Sequence, residues 1–473
     1  MPLILGAASA TTAAAVVTNS CRFNIADGSE LAATLGTPTD QDTWTCSFWF
    51  KPTSIGEHGV FDAHGDASNY GFYELGTNGQ LTIFQKVGGA TTCVLVTSRL
   101  YRDFSAWYHI VVVWDSGNAT EADRVIIYTN GTRETAFSTS TYPAQDGDSA
   151  MNTAVAHNIG RKDTNDAHNY DGYLAEFVFI DGTAYAASDF GEFDEDSPTI
   201  WKPKDPSGLT FGDNGFYLDF EDSADLGADV SGNSHDFTAT ALTASDQSQD
   251  CPSNNFALMN NNMGTYGSAF GFTLTEGNNT VDTTSSNDTG LPATLGMTAG
   301  KWYWECKMSS TGSSFLGIVN DNKNWGNAAT GTGDPYGYVY LASDGNKKNN
   351  NTSTAYGDSY TDADIIGIAL DMDNLKLYFA KNNTWQDSGD PTSGATGTGA
   401  AYTPATGKTY MPYLGESGSG TTSTFDMNFG NGCFGNTAVA SAEADGNGYG
   451  LFEYAPPSGY LALCTKNLGS SGG

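Results

Sequence analysis

Positive charge is what this chain has least of. Its 473 residues hold 20 Lys and Arg against 54 Asp and Glu, a net charge of -34, and charged residues make up only 16% of the whole. A field of that sign repels phosphate backbones and anionic headgroups, which argues against nucleic acid and membrane surfaces as partners. Such self-repulsion is best tolerated in salty surroundings, where it is screened within roughly 8 Å. Cysteine is sparse and unpatterned: Cys21, Cys46, Cys93, Cys251, Cys306, Cys433 and Cys464 form no C-x-x-C and no zinc-type Cys/His spacing. They read as reduced structural residues of a chain matured in a cytoplasm. No run is long and apolar enough to cross a bilayer. There is no P-loop and no H-E-x-x-H, and the six His are scattered, so metalloprotease and nucleotide chemistry find no support.

Glycine (57 residues), aromatics (12%) and many Thr, Ser and Asn suit an all-β protein rich in turns. The length predicts two to four domains, each able to bury a core. The start, MPLILGAASATTAAAVVTNS, is uncharged until Arg22 and imitates a signal peptide only faintly, without its basic n-region. It is read as an uncleaved arm over residues 1–20.

The chain pivots on residues 169–222. Tyr173, Ala175, Phe177 and Phe179 alternate with Leu174, Glu176, Val178 and Ile180, the period of a strand. Residues 197–206 then carry three prolines in ten positions, expected as a stiff connection. Upstream, Trp44, Cys46, Phe48 and Phe50 mark one face of a strand, and residues 107–115 are an almost unbroken apolar run, expected as a central strand buried on both faces. Downstream, Trp302, Trp304, Cys306 and Met308 repeat that face, with further strands over 315–319, 336–341, 364–371, 375–382, 410–414 and 424–429. No helical period competes, and short strands at this spacing predict sandwiches.

WTCSFWFKP, WYHIVVVWD, VIIYTNGT, the NIGR turn and YDGYLAEFVFIDG resemble, in order and spacing, laminin-G-like and pentraxin-type modules of the concanavalin-A-like class. KWYWECKM, FLGIVN, DIIGIALDMDNLKLYFAKNNTW, YMPYLG and FDMNFG resemble a SPRY module, again a concanavalin-A-like sandwich. The fold expected is therefore all-β: two concanavalin-A-like jelly-roll sandwiches joined by a short β-containing bridge. Its divisions are an arm (1–20), a laminin-G-like jelly roll (21–200), a bridge segment (201–264) that either completes or links the flanking sandwiches, and a SPRY-like sandwich with a C-terminal strand and Gly/Ser tail (265–473). Both modules together with WKPKDPSGLTFG and YLALCTKNL are similar to a family of structural proteins from phages of aquatic bacteria. That resemblance implies a virion component made in the bacterial host cytoplasm: a tail fibre, spike or appendage whose first module attaches to the particle and whose second faces outward. It implies other virion proteins as partners, a homo-oligomer (a trimer in a fibre), and attachment to host surface glycan or protein. Capsid decoration or a head fibre without receptor binding is the alternative, and a surface-polysaccharide hydrolase a weaker one, because folds of this class host lectins and glycosidases alike.

Candidate sites follow from chemistry. A glycosidase needs two carboxylates flanking the sugar; Glu192, Asp194, Glu195 and Asp196 are clustered but read as an acidic loop, and the protein is expected not to be an enzyme. No cofactor is required. Calcium would suit the oxygen ligands of Asp163 and Asp166, although neither this cluster nor Asp371-Met-Asp373-Asn374 fits a calcium loop, and the latter reads as a hairpin turn. His109 is expected as a packed core residue. For sugar binding, Trp325, Tyr336 and Trp385 stand beside Asn or Asp in loops, where a ring can stack on a pyranose and amides can bond its hydroxyls; the competing expectation is that each ring folds back onto its sandwich.

Overall fold

The computed structural model describes residues 17–162, 168–264, 271–283, 289–323, 335–416 and 422–471. It divides into two compact units with the boundary between Ser253 and Asn254. Of the arm, residues 1–16 lie outside the described part; Val17 is buried and its carbonyl faces the Cys251 thiol, and Ser20 already opens a strand.

The first unit is a sandwich of two antiparallel sheets. One runs Thr132–Arg133, Val125–Thr129, Tyr108–Asp115, Thr43–Pro52, Gly172–Asp181, Ser20–Phe23, Gln247–Ser248. The other runs Phe137–Thr141, Ala90–Thr97, Leu81–Val87, Asn69–Leu75, His58–Asp66, Ala156–Ile159, Glu30–Thr34, Thr238–Thr240. Between them lies a core to which Trp44, Cys46, Phe48 and Phe50 contribute from one strand, as their spacing predicts. The strand Gly172–Asp181 departs from strict alternation. Its register against Thr43–Pro52 shifts between Ala175 and Val178, and Glu176 adopts φ 50°. The bulge inserts one residue, so Leu174 shares the core face with Phe177 and Phe179, while Val178 and Ile180 point the other way.

The segment 201–264, expected either to complete or to link the flanking sandwiches, belongs to the first unit up to Ser253 and to the second from Asn254. Phe216–Leu218 pairs with Gly172–Asp181, Thr238–Thr240 with Glu30–Thr34, and Gln247–Ser248 with Ser20–Phe23. Trp201–Pro203 forms a hairpin with Gly191–Phe193, so the proline-rich stretch is paired rather than a free spacer. Phe216, Leu218, Phe220 and Phe237 complete the core. Phe211, Tyr217 and Trp201 cover the outer face of the first sheet, against Val111, Val113, Val178 and Ile180. This cover explains why residues 107–115 read as apolar throughout: odd and even positions face two different apolar clusters. The Asp181 carboxylate pins it, accepting from Thr39 N (2.6 Å), Asn152 Nδ2 (2.6 Å) and Asn214 N (3.0 Å). Together with the Asp40 amide these donors hold its carboxyl below the usual range despite burial. Lys51 and Asp250 form an ion pair at 2.7 Å with both side chains fully buried, and Trp107 Nε1 donates to the same carboxylate at 3.0 Å.

The second unit repeats the plan. One sheet runs Phe272–Thr275, Thr280–Thr283, Thr424–Asn428, Lys301–Ser310, Ile365–Asp371, Lys376–Lys381, Thr384–Trp385; the other runs Thr289–Pro292, Tyr410–Glu416, Ser314–Asn320, Gly337–Leu341, Asn346–Asn349, Thr352–Ala355. Trp302, Trp304, Cys306 and Met308 line the core, as expected. The outer face of the first of these sheets is again covered by trailing chain: Phe452, Tyr460 and Cys464 pack on Tyr303, Ala369 and Tyr378. Glu305 fastens that cover, accepting from the backbone N–H groups of Glu453 and Tyr454, each at 2.9 Å, and from the Tyr303 hydroxyl at 2.9 Å. The tail, read as a strand dissolving into Gly and Ser, forms the short strand Leu461–Ala462 and then the helix Thr465–Ser471, which turns because Leu468 is buried in the core. All seven cysteines are buried free thiols.

Candidate functional site

The sequence candidates do not converge. Trp325, Asp163 and Asp166 lie outside the described residues. Tyr336 packs against the cluster of Phe315, Val319, Met411 and Tyr413 on one sheet of the second unit. Trp385 belongs to the cluster on the other sheet, edge-on to Tyr378 at 6.4 Å. Both rings are half-buried. Asp371 accepts from the backbone and side chain of Asn374 at 2.9 Å each and pairs with Lys301 at 3.2 Å, so that motif is a hairpin turn. Among the described residues no group of three or more His, Cys, Asp or Glu is placed to hold a metal ion. His109 is packed as expected: its ring lies 4.5 Å from that of Trp49, Trp201 Nε1 donates to Nδ1 at 2.9 Å, and Nε2 faces Ser47 Oγ at 2.8 Å. Burial pushes its pKa down to about 3.

The acidic run makes local contacts. Glu192 and Asp194 share Lys202, at 3.2 and 3.6 Å, and Asp194 also caps the turn by accepting from the amides of Asp196 and Ser197. A Ser–His–Asp cluster does exist: Ser54 Oγ is 3.0 Å from His58 Nε2. Its carboxylate, Asp171, bonds that same hydroxyl at 2.5 Å, while His58 Nδ1 faces the Asn169 carbonyl at 3.3 Å. A triad needs the acid behind the imidazole, where it orients the base; here the acid competes for the nucleophile.

What the structure does assemble is the outer face of the second sheet of the first unit, opposite its core. Alternation along Asn69–Leu75 sends Tyr73 and Leu75 inward and leaves Tyr70 and Phe72 half-buried on the outside; Phe84 and Lys86 do the same on the neighbouring strand. Cross-strand register places Phe72 opposite Phe84 and Asp62, and Tyr70 opposite Lys86 and His64. The three rings are near-parallel, with centroids 4.8 Å (Phe72–Phe84), 5.5 Å (Tyr70–Phe84) and 6.4 Å (Tyr70–Phe72) apart. A lysine sits over each flank: Lys162 Nζ is 4.5 Å from the Phe72 centroid, and Lys86 Nζ is 5.6 Å from that of Tyr70. Beside the rings a cleft of about 250 Å³ is lined by Asp62, His64, Gly71 and Lys162 as well as the aromatics. Asp62 is 2% exposed and accepts from Asn158 Nδ2 at 2.6 Å; Lys162 pairs with Glu74 at 2.8 Å. An apolar wall with a few fixed polar groups is the chemistry of a small-ligand site. Sequence reading missed it because single aromatics at outward strand positions look like ordinary surface. The available signal was their coincidence on two adjacent strands, in NYGFYEL and LTIFQKV.

Comparison with known proteins agrees with the two-sandwich fold. The model of the concanavalin A-like lectin/glucanases superfamily, laminin-G type, matches residues 26–187, and the SPRY domain model matches residues 301–430. No curated protein matches the chain. Among solved structures, the SPRY domain of human HERC1 is 18% identical, over 33% of this chain and 91% of that one, with a TM-score of 0.27. The native heptameric SAP-like pentraxin from Limulus polyphemus is 14% identical over 37% and 80%, with a TM-score of 0.28. Stonustoxin is 17% identical over 36% and 27%, with a TM-score of 0.27. The chain thus carries a laminin-G-like domain of concanavalin A-like type followed by a SPRY domain.

Proposed function

We propose that the chain is a non-enzymatic recognition protein of a phage virion surface, and that its first unit offers the Tyr70, Phe72 and Phe84 face to a host surface glycan. The observation that carries the binding assignment is that face: half-exposed rings flanked by lysines beside a polar cleft, on the sheet whose outer side the trailing segment leaves uncovered. The pairing of a lectin-like fold with a SPRY domain supports carbohydrate or protein recognition. The virion setting rests on the resemblance of the two modules, the WKPKDPSGLTFG segment and YLALCTKNL to phage structural proteins. Other virion proteins and further copies of the chain, a trimer in a fibre, are the partners this setting entails.

Reconstruction of the intact particle at side-chain resolution tests the reading. The expected result is the chain in a tail fibre, spike or appendage with the Phe72 face toward solvent. A position across capsomers with that face packed against another protein would replace attachment by decoration. Absence from the particle would overturn the virion assignment.

A further inference from the structure

We infer that Lys51 and Asp250 condense to a side-chain amide, the lysine Nζ bonded to the aspartate Cγ, which fastens the trailing segment of the first unit covalently to its central sheet. The two residues stand 199 positions apart and meet at 2.7 Å, with both side chains 0% exposed. Strand register fixes the lysine: it stands opposite Tyr173 in the pairing of Thr43–Pro52 with Gly172–Asp181, and its ammonium lies 5.9 Å from that ring's centroid. Hydrogen bonds fix the aspartate. Its N–H donates to Ser248 Oγ at 3.1 Å, and its backbone carbonyl accepts from Ser20 Oγ at 2.6 Å. Trp107 Nε1 donates to carboxylate Oδ1 at 3.0 Å while Lys51 Nζ donates to Oδ2. A nucleophile and an acyl carbon held in this way need no encounter and little reorientation, the condition under which effective molarities become very large.

Burial supplies the chemical bias. Loss of solvent pushes the Lys51 pKa below its ordinary value although Asp250 opposes the shift, so the amine gives up a proton more readily than an exposed one. The step balances within the pair. One proton passes from Nζ to Oδ2, the freed lone pair attacks Cγ, and the Trp107 N–H meets the charge that develops on Oδ1. A second proton then follows from nitrogen to Oδ2, the Cγ–Oδ2 bond breaks, and that oxygen leaves as water. One C–N bond replaces one C–O bond, nothing is oxidised or reduced, and the third ammonium hydrogen stays as the amide N–H. Two buried charges become one neutral group, which removes the desolvation cost of both ions. Unlike a disulfide, the bond needs no oxidant, and the seven cysteines stay free thiols beside it.

The purified full chain is kept folded at room temperature for several days, then denatured, reduced, digested with trypsin and mapped by tandem mass spectrometry. K51R, which keeps the charge but not the amine, is treated alike. Asp250 falls in the tryptic peptide 205–301, and Lys51 in the peptide 23–86, because Pro52 blocks cleavage after the lysine. The expected result is a branched species that joins these two peptides and is one water lighter than their sum, with fragment ions placing the junction at Lys51 and Asp250. The intact wild-type chain is then lighter than its sequence by that water, whereas K51R shows its complete mass and two separate peptides. Separate peptides in the wild type would overturn the inference and leave a buried ion pair. A lost water mapped to a different residue, such as an aspartate cyclised before glycine, would overturn it as well. The wild-type map decides the question even if K51R does not fold.

Discussion

Two buried side chains of the first unit respond to pH in opposite senses. His109 has its pKa depressed by burial to about 3 from an ordinary 6.5, so unfolding takes up a proton between those values. Its contribution to stability is complete above pH 6.5 and is lost as pH falls toward 3. Glu176 sits at the bulge with φ 50° and accepts from the Tyr217 hydroxyl at 2.6 Å; burial raises its pKa from 4.5 to about 8. Because the folded state holds this proton more tightly, its contribution is complete below pH 4.5 and is lost as pH rises through 8. Glu176→Gln keeps the shape without the charge. Thermal melts should show the variant close to wild type at pH 5 and more stable than wild type at pH 8.5; an equal difference at both values would show that the proton is not the cause. A non-glycine residue at positive φ in mid-strand is also what sequence periodicity cannot register, since Glu176 fell into regular alternation with Leu174, Val178 and Ile180.

At the scale of elements, strands were legible and the cover was not. The faces of Thr43–Pro52 and Lys301–Ser310 follow directly from alternating apolar residues, because each faces one continuous core. The proline-rich stretch read as a connector because proline count reports local stiffness, whereas its docking depends on Trp201 meeting His109 some ninety positions away, and on two glycines that admit the ring. A Cβ at Gly131 would lie 2.2 Å from the Trp201 ring and one at Gly191 2.5 Å from it. Gly131 also needs φ 72° for its turn, but Gly191 does not adopt positive φ, so its requirement is close approach alone. Gly191→Ala should therefore destabilise the first unit by about 1–3 kcal/mol through overpacking. Urea unfolding measures this, and acrylamide quenching should show Trp201 more accessible in the variant. The binding face stayed hidden for a related reason: Tyr70, Phe72 and Phe84 become one patch only through cross-strand register, which pairs residues that the sequence holds apart.

For the whole molecule, the division after Ser253 has a consequence for truncation. A fragment ending at residue 200 lacks Phe216, Leu218, Phe220 and Phe237 from the core and the cover over Val111 and Val113. A fragment ending at Ser253 keeps them all, together with the Lys51–Asp250 ion pair. The longer fragment is expected to elute as a folded species with a cooperative melt, and the shorter to aggregate or melt without cooperativity; equal behaviour would return residues 201–253 to the role of a linker. The buried thiols divide along the same line. Cys21, Cys46, Cys93 and Cys251 belong to one unit and Cys306, Cys433 and Cys464 to the other, and all are buried. A thiol-specific alkylating reagent in the surrounding medium therefore meets only buried cysteines until a unit opens. Each sandwich carries its own chemical clock, set to zero while folded, and the mass added over time dates the opening of each half separately.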